Sequence, residues 1–199
     1  MDILFEKIEE MYTSGEDIYD IYLEYGVSLD PERFEPDYKY YDATNKCQVT
    51  ELFDVCYVLK YAKNEFILSD TIPPPTEGDA IERSEIFKEV AKKMSYFKES
   101  LETRRVCITP SYQDKPDLQA CMSYLQFSVR KNDTLSYDAY DLFCSVKQRS
   151  QNIDNFLYDN QTVMLMMQAV MEYLEEEFKL IINSGTIFYD TTSLHKLIK

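Results

Sequence analysis

"QACMSYLQFSV", residues 119–129, is the stretch whose alternation decides the fold class. In an extended chain Cys121, Ser123, Leu125, Phe127 and Val129 fall on one side, and Met122, Tyr124, Gln126 and Ser128 on the other. That period of two predicts a half-buried β-strand. A thiol at its start and a glutamine among apolar neighbours suggest more than packing, because a buried amide needs hydrogen-bond partners.

Working outward, "RRVCITPSY" (104–112) reads as a strand before it, with a polar turn, "QDKPD", between the two. "LSYDAYDLFCSVKQR" (135–149) reads as a long strand after it. A long apolar helix is expected from Asn160 to Phe178, and "TIFYDTTSLHKL" (186–197) closes the chain as a strand. In the first half, "DILFEKIEEMY" has helical apolar spacing, while "IYDIYLEYGVSL" is rich in β-formers. "DPERFEPDYKYYDATNK" reads as loop and "VTELFDVCYVLKYAK" (49–63) as a buried helix. "SDTIPPPTEGDA" is a loop stiffened by three prolines. Ser84 to Leu101 is a second amphipathic helix, with Ile86, Phe87, Val90, Met94, Phe97 and Leu101 on one side. Helices and strands in this order predict one α+β domain over residues 1–199, a mixed sheet covered by helices on one face. Tyr124, Phe127, Tyr137, Tyr140 and Phe143 give that sheet apolar residues on both faces, so a dimer packed through the sheet is expected.

Composition narrows the function classes. The 199 residues are 45% hydrophobic and 14% aromatic, which is globular composition. A net charge of −15 argues against nonspecific nucleic-acid binding, which needs a basic footprint. A few placed arginines can still hold an anionic small ligand. No apolar run approaches the roughly 18 residues of a membrane span. Five cysteines (47, 56, 107, 121 and 144), without a CxxC pair or a secretory leader, predict a reduced, cytoplasmic protein with no disulfide or structural metal. With a single histidine, His195, acid–base chemistry cannot rest on a histidine cluster.

"TRRVCI" at 103–108, Cys121, the Gln126-Phe127 pair, "QRS" at 148–150, Asn160 and "TIFYDTTSLHKL" with His195 follow one another in a known order. In that order and spacing the chain resembles the thymidylate synthase and pyrimidine deoxynucleotide hydroxymethylase family. Weaker similarity reaches "YLEYGVSL" and "TELF", so the resemblance covers most of the chain.

The resemblance implies a C5 methyl- or hydroxymethyltransferase acting on a dUMP-type nucleotide, with 5,10-methylenetetrahydrofolate as cofactor. Cys121 would be the nucleophile and Glu51, in "TELF", the glutamate that organises water and proton transfers. Arg104, Arg105 and Arg149, with Ser150, would clamp the phosphate, the Arg pair reaching over from a second copy in a homodimer. Gln126 would orient the nucleotide or bridge the dimer sheet, and Gln148 and His195 fall on family site positions. The residue types suit the chemistry. A pyrimidine C5 becomes nucleophilic only after something adds to C6, and a thiolate can add and later leave. Guanidinium charge favours that thiolate and grips phosphate in a bidentate fork. An amide at Asn160 meets the N3–H and O4 of uracil, whereas a carboxylate suits cytosine. Asp159, one residue away, is the carboxylate that a slip at the helix start would substitute.

Several positions depart from the family. "TSGED" stands where an arginine loop is expected, and the segment with the active-site tyrosine has no counterpart in "TIPPPTEGDA". Asn152 replaces an aspartate, Phe156 a glycine and Leu197 a tyrosine, and the chain stops at Lys199. These departures gather on the folate side. Two readings follow: an enzyme of pyrimidine C5, or a catalytically impaired relative acting as a nucleotide-binding or partner-binding dimer. The compact form suggests a viral source, with the host cytoplasm as its location.

Overall fold

The computed structural model describes residues 38–42, 47–63, 72–110, 120–152 and 155–198. The expected helix at "DILFEKIEEMY", the β-rich "IYDIYLEYGVSL" and the turn "QDKPD" lie outside these residues. The strands are β1 (Tyr38–Asp42), β2 (Cys47–Ala62), β3 (Cys107–Ile108), β4 (Met122–Lys131), β5 (Tyr140–Gln148), β6 (Gln151–Asn152) and β7 (Ile182–Ile198). The helices are α1 (Glu77–Met94), continued by a 3₁₀ turn (Ser95–Lys98), and α2 (Phe156–Phe178). This is an α+β fold, as the element order predicts.

The strands form one mixed sheet in the order β1-β2-β7-β5-β4-β3, with β6 paired to β7. β7 is its spine: antiparallel to β2, parallel to β5 and β6. The parallel β5–β7 pair requires a crossover, and α2 supplies it. α1 is closed at its N-terminus by a capping box, Thr76 accepting from the Asp79 amide and Asp79 accepting from the Thr76 amide. α2 ends at Lys179 in the left-handed conformation (φ 56°).

Burial alternates along the strands. Leu59 and Tyr61, Leu125, Phe127 and Val129, Leu142, Cys144 and Val146, and Ile187 and Tyr189 share one core with Ile86 and Val90 of α1 and Val163, Met167, Val170 and Leu174 of α2. On the other face Cys56, Lys60, Ser145 and Lys147 are exposed, and Phe188 stacks on Phe143 at 6.2 Å while 41% exposed. No described helix is long and apolar enough to cross a membrane.

Several readings of the sequence need correction. "VTELFDVCYVLKYAK" is not a helix but most of β2, and part of the supposed loop before it is β1. Its β-branched and aromatic residues suit a strand flanked on both sides, and pairing with β7 overrides the helix-like apolar spacing. The "RRVCITPSY" strand shrinks to two residues, in a segment whose Pro110 has no N–H to donate. Both helices begin earlier than expected, at Glu77 rather than Ser84 and at Phe156 rather than Asn160. Finally, a bulge between Met122 and Tyr124 breaks the alternation of the opening strand. Met122 therefore turns inward with Leu125, and Cys121 stands outside the strand as an exposed residue.

Candidate functional site

Cys121 opens onto a cavity of about 250 Å³ where six elements converge. The residue just before β4 provides Cys121, the β5–β6 junction Ser150, and β6 Asn152. Tyr158, Asp159 and Thr162 come from the first turns of α2, and His195 from near the end of β7. The sixth wall is α1, which presents Asp79, Glu82, Arg83 and Ile86. Those four positions follow helical spacing and so share one face.

The walls are tied together. The Glu82 carboxylate accepts from the Met122 backbone N–H at 3.3 Å, and the Arg149 N–H donates to the Cys121 carbonyl at 2.8 Å. The Tyr158 hydroxyl donates to the Asp79 carbonyl at 2.9 Å, joining α2 to α1. Ser150 Oγ and His195 Nδ1 lie 3.3 Å apart. The registers that pair His195 with Asn152 on β6 and with Glu51 on β2 fix its backbone at the cavity.

The electrostatics are those of a desolvated acidic pocket. Loss of solvation pushes the Cys121 thiol up to about 11, with Glu82, Asp159 and Asp79 adding to the shift and Arg149 opposing it. Cys121 is exposed as a residue, but its sulfur faces this crowded, acid-lined mouth. Asp159 is half-buried, yet burial of its carboxyl, reinforced by Glu82 and Asp79, raises its pKa to about 8. A hydrogen bond with Gln151 and the charge of Arg83 resist that shift. Asp159 is thus a protonated acid near neutral pH, able both to donate and to accept. No described group of His, Cys, Asp and Glu is arranged to hold a metal ion.

A consequence for stability follows. Asp159 keeps its proton to about pH 8 when folded but releases it near 3.8 when exposed, so the folded state binds the extra proton between these values. Its contribution is present in full below the unfolded pKa and is lost as pH rises through the folded one. The loss is on the order of 1.4 kcal/mol for each pH unit of that window. Thermal melts are expected to show Tm falling between pH 6 and pH 8.5, where ordinary carboxylates no longer titrate, and Asp159→Asn should flatten the slope.

Of the residues singled out from the sequence, Cys121, Ser150 and His195 meet in this cavity, with Arg149 exposed beside Cys121. Others stand elsewhere. Arg104 and Arg105 are exposed next to the edge strand β3; the Arg104 carbonyl accepts from Gln126 Nε2 at 2.9 Å, and Arg105 pairs with Glu99 at 2.6 Å. Gln126 therefore faces away from the core and is only half-buried. Gln148 is buried and accepts from Thr191 Oγ1 at 3.1 Å. Glu51 lies on β2 opposite His195, its side chain outside the described residues.

Asn160 is buried at 1% exposure, away from the cavity lining. Its Nδ2 donates to the Tyr61 hydroxyl at 2.9 Å, and its Oδ1 accepts from the Tyr189 hydroxyl at 3.1 Å. Both ends of the amide are engaged, and Asp159 faces the cavity instead. Helix α2 begins four residues ahead of Asn160, so position 160 turns inward and position 159 outward.

Sequence reasoning missed Asp79, Glu82 and Arg83. The available signal was charge at 79, 82 and 83 sharing a helical face with Ile86, where an amphipathic helix would bury apolar residues. Compared with protein-family models and with curated proteins, the chain matches none.

Proposed function

We propose that this chain modifies C5 of a pyrimidine deoxynucleoside monophosphate, with Cys121 as the nucleophile. The observation that carries this reading is the meeting of Cys121, Ser150 and His195, far apart in sequence, in one cavity. At about 250 Å³ the cavity lies just below the range of roughly 300–1,000 Å³ for whole-ligand clefts, so it suits a base with the phosphate left at the mouth. Arg149 is exposed there beside Cys121. Arg104 and Arg105, exposed and outside the lining of their own cavity, would on this reading serve the cavity of a second copy.

The thiolate adds to C6, and the C5–C6 π pair shifts to C5 and the ring. Once C5 has taken a one-carbon unit and lost its proton, the pair returns and expels the thiolate. Burial, reinforced by the acidic lining, keeps Cys121 protonated in the isolated chain, so guanidinium charge brought up by assembly, together with Arg149, is what this reading requires to activate it. Asn152 and Asn155 line the cavity and would be the residues to meet a pterin lying over the base at its mouth, with Asn152 in place of the aspartate that the resemblance expects and Phe156 buried in the core. When bound, 5,10-methylenetetrahydrofolate supplies the one-carbon unit.

The base is where sequence and geometry part. Uracil was expected on the strength of Asn160, whose amide is occupied by Tyr61 and Tyr189. The side chain in the cavity is Asp159, protonated near neutral pH, which can accept from a cytosine amino group and donate to its N3. The same carboxyl could accept from N3–H and donate to O4 of uracil, but cytosine N3 is the more basic acceptor for its proton, so we favour dCMP over dUMP.

Native mass spectrometry with 5-fluoro-dCMP or 5-fluoro-dUMP and the folate cofactor tests the reading. A covalent mass increase on a dimer is expected, abolished in Cys121→Ser and kept in Cys107→Ser. Nucleotide binding without any adduct would favour the impaired, scaffold-like alternative, to which the raised thiol pKa lends weight.

A further inference from the structure

Helices α1 and α2 meet at the cavity through one turn each. The Tyr158 hydroxyl donates to the Asp79 carbonyl at 2.9 Å, Arg83 Nε donates to Thr162 Oγ1 at 2.8 Å, and the Arg83 guanidinium lies 3.9 Å from the centre of the Tyr158 ring. These contacts set residues 79–83 against 158–162, so Glu82 and Asp159 line one cavity from two packed helices. Both residues are half-buried there, neither sealed off from the space. Glu82 is held beside Cys121 by the Met122 N–H, whereas the Asp79 carboxylate is engaged by Thr76 in the capping box. The two carboxyls are electrically unlike. Asp159 keeps its proton to about pH 8, held up by burial and then by the negative charge of Glu82. A neutral acid beside a carboxylate in one cleft is the arrangement that cleaves glycosidic bonds.

We infer that this cavity also hydrolyses the N-glycosidic bond of the pyrimidine deoxynucleotide it binds, with Asp159 as general acid and Glu82 as general base; the inference rests on the nucleotide reading above. Asp159 delivers its proton to N3 of cytosine, the atom it meets in that reading, and the protonated ring is the better leaving group. The C1′–N1 bond breaks and its electron pair goes to the ring. Water adds to C1′ of the sugar and gives a proton to Glu82, from which it returns to Asp159 through solvent. The products are cytosine and deoxyribose 5-phosphate, and water is the one co-reactant consumed. Thiolate addition needs Cys121 activated, whereas hydrolysis uses the thiol and both carboxyls in the protonation states they hold at rest.

Incubating the full chain with dCMP, without folate, and separating the products by chromatography reads this activity. Cytosine and deoxyribose 5-phosphate are expected in equal amounts. Their release should slow as pH rises through about 8, where Asp159 gives up its proton in a cavity it shares with Glu82, Asp79, Arg83, Cys121 and His195. Glu82→Gln keeps an oxygen for the Met122 N–H, so it should lower kcat about a hundredfold while calorimetry shows dCMP binding within about threefold of wild type. Asp159→Asn should lose a similar factor on dCMP. It should also favour 5-fluoro-dUMP over dUMP by a wider margin than wild type does, because the more acidic base departs with less need of a proton. A merely structural carboxyl would show no such dependence on the leaving group. Binding of dCMP without release of cytosine, or release untouched by both substitutions, overturns the inference and leaves the nucleotide reading standing. Failure of dCMP and dUMP alike to bind overturns both.

Discussion

Cys121 is expected to react slowly with iodoacetamide at pH 7, and its alkylation rate should keep climbing with pH toward about 11. A rise from 9.0 to about 11 leaves roughly a hundredfold less thiolate at neutral pH. The more basic thiolate is the better nucleophile, so the net deficit relative to an unperturbed cysteine should be about tenfold. Burial is the largest cause and Glu82 the first of the charges, so Glu82→Gln should shift the profile to lower pH and speed alkylation. Peptide mapping of the alkylated chain separates Cys121 from Cys56, which is also exposed, and from Cys144, whose burial pushes its thiol further up. A profile with its midpoint near 9.0 would mean that the thiol is not buried against the acidic wall of α1.

Asp159→Asn is expected to reverse the base preference of the chain, from dCMP to dUMP. The acidic proton of a carboxyl pairs best with the basic N3 of cytosine while the other oxygen accepts from the amino group, whereas the weakly acidic amide loses that advantage and can turn an acceptor to N3–H and a donor to O4 of uracil. A mispaired buried polar edge costs on the order of 1–3 kcal/mol, so each preference should be about tenfold or more. Asn160→Asp should behave quite differently. It puts a carboxyl between the Tyr61 and Tyr189 hydroxyls, where the Tyr61 hydroxyl loses its donor, and so it should lower Tm more than it alters nucleotide choice. Competitive binding of dCMP and dUMP to both variants checks this. A switch in Asn160→Asp with none in Asp159→Asn would return the base-reading role to Asn160.

Much of the fold was legible in local pattern. The alternation of 125–129 and 142–148, the apolar helix ending at Phe178 and the closing strand are periodicities that neighbours reinforce. So is the polar–apolar stripe of α1, whose Ile86 and Val90 are buried as its spacing requires. β2 was not legible. Its apolar run satisfies helix and strand alike, and only two flanking partners, β1 and β7, decide between them.

The candidate site divides in the same way. That Cys121, Ser150 and His195 would lie together is what the family resemblance implies, and the three do line one cavity. Three features were decided by tertiary structure alone. The bulge after Met122 places the thiol outside the strand, because one extra residue reverses which side chain points inward. The start of α2 at Phe156 sends Asp159 to the cavity and Asn160 to the core, because about 100° of helical rotation separates neighbours. The packing of α1 against the mouth brings in Asp79, Glu82 and Arg83, whose charges no local pattern could assign to a thiol some 40 residues away. Periodicity is a property of a segment and survives in the sequence; which residue faces a cavity depends on register, helix phase and the neighbour across the gap, and those exist only once the chain has packed.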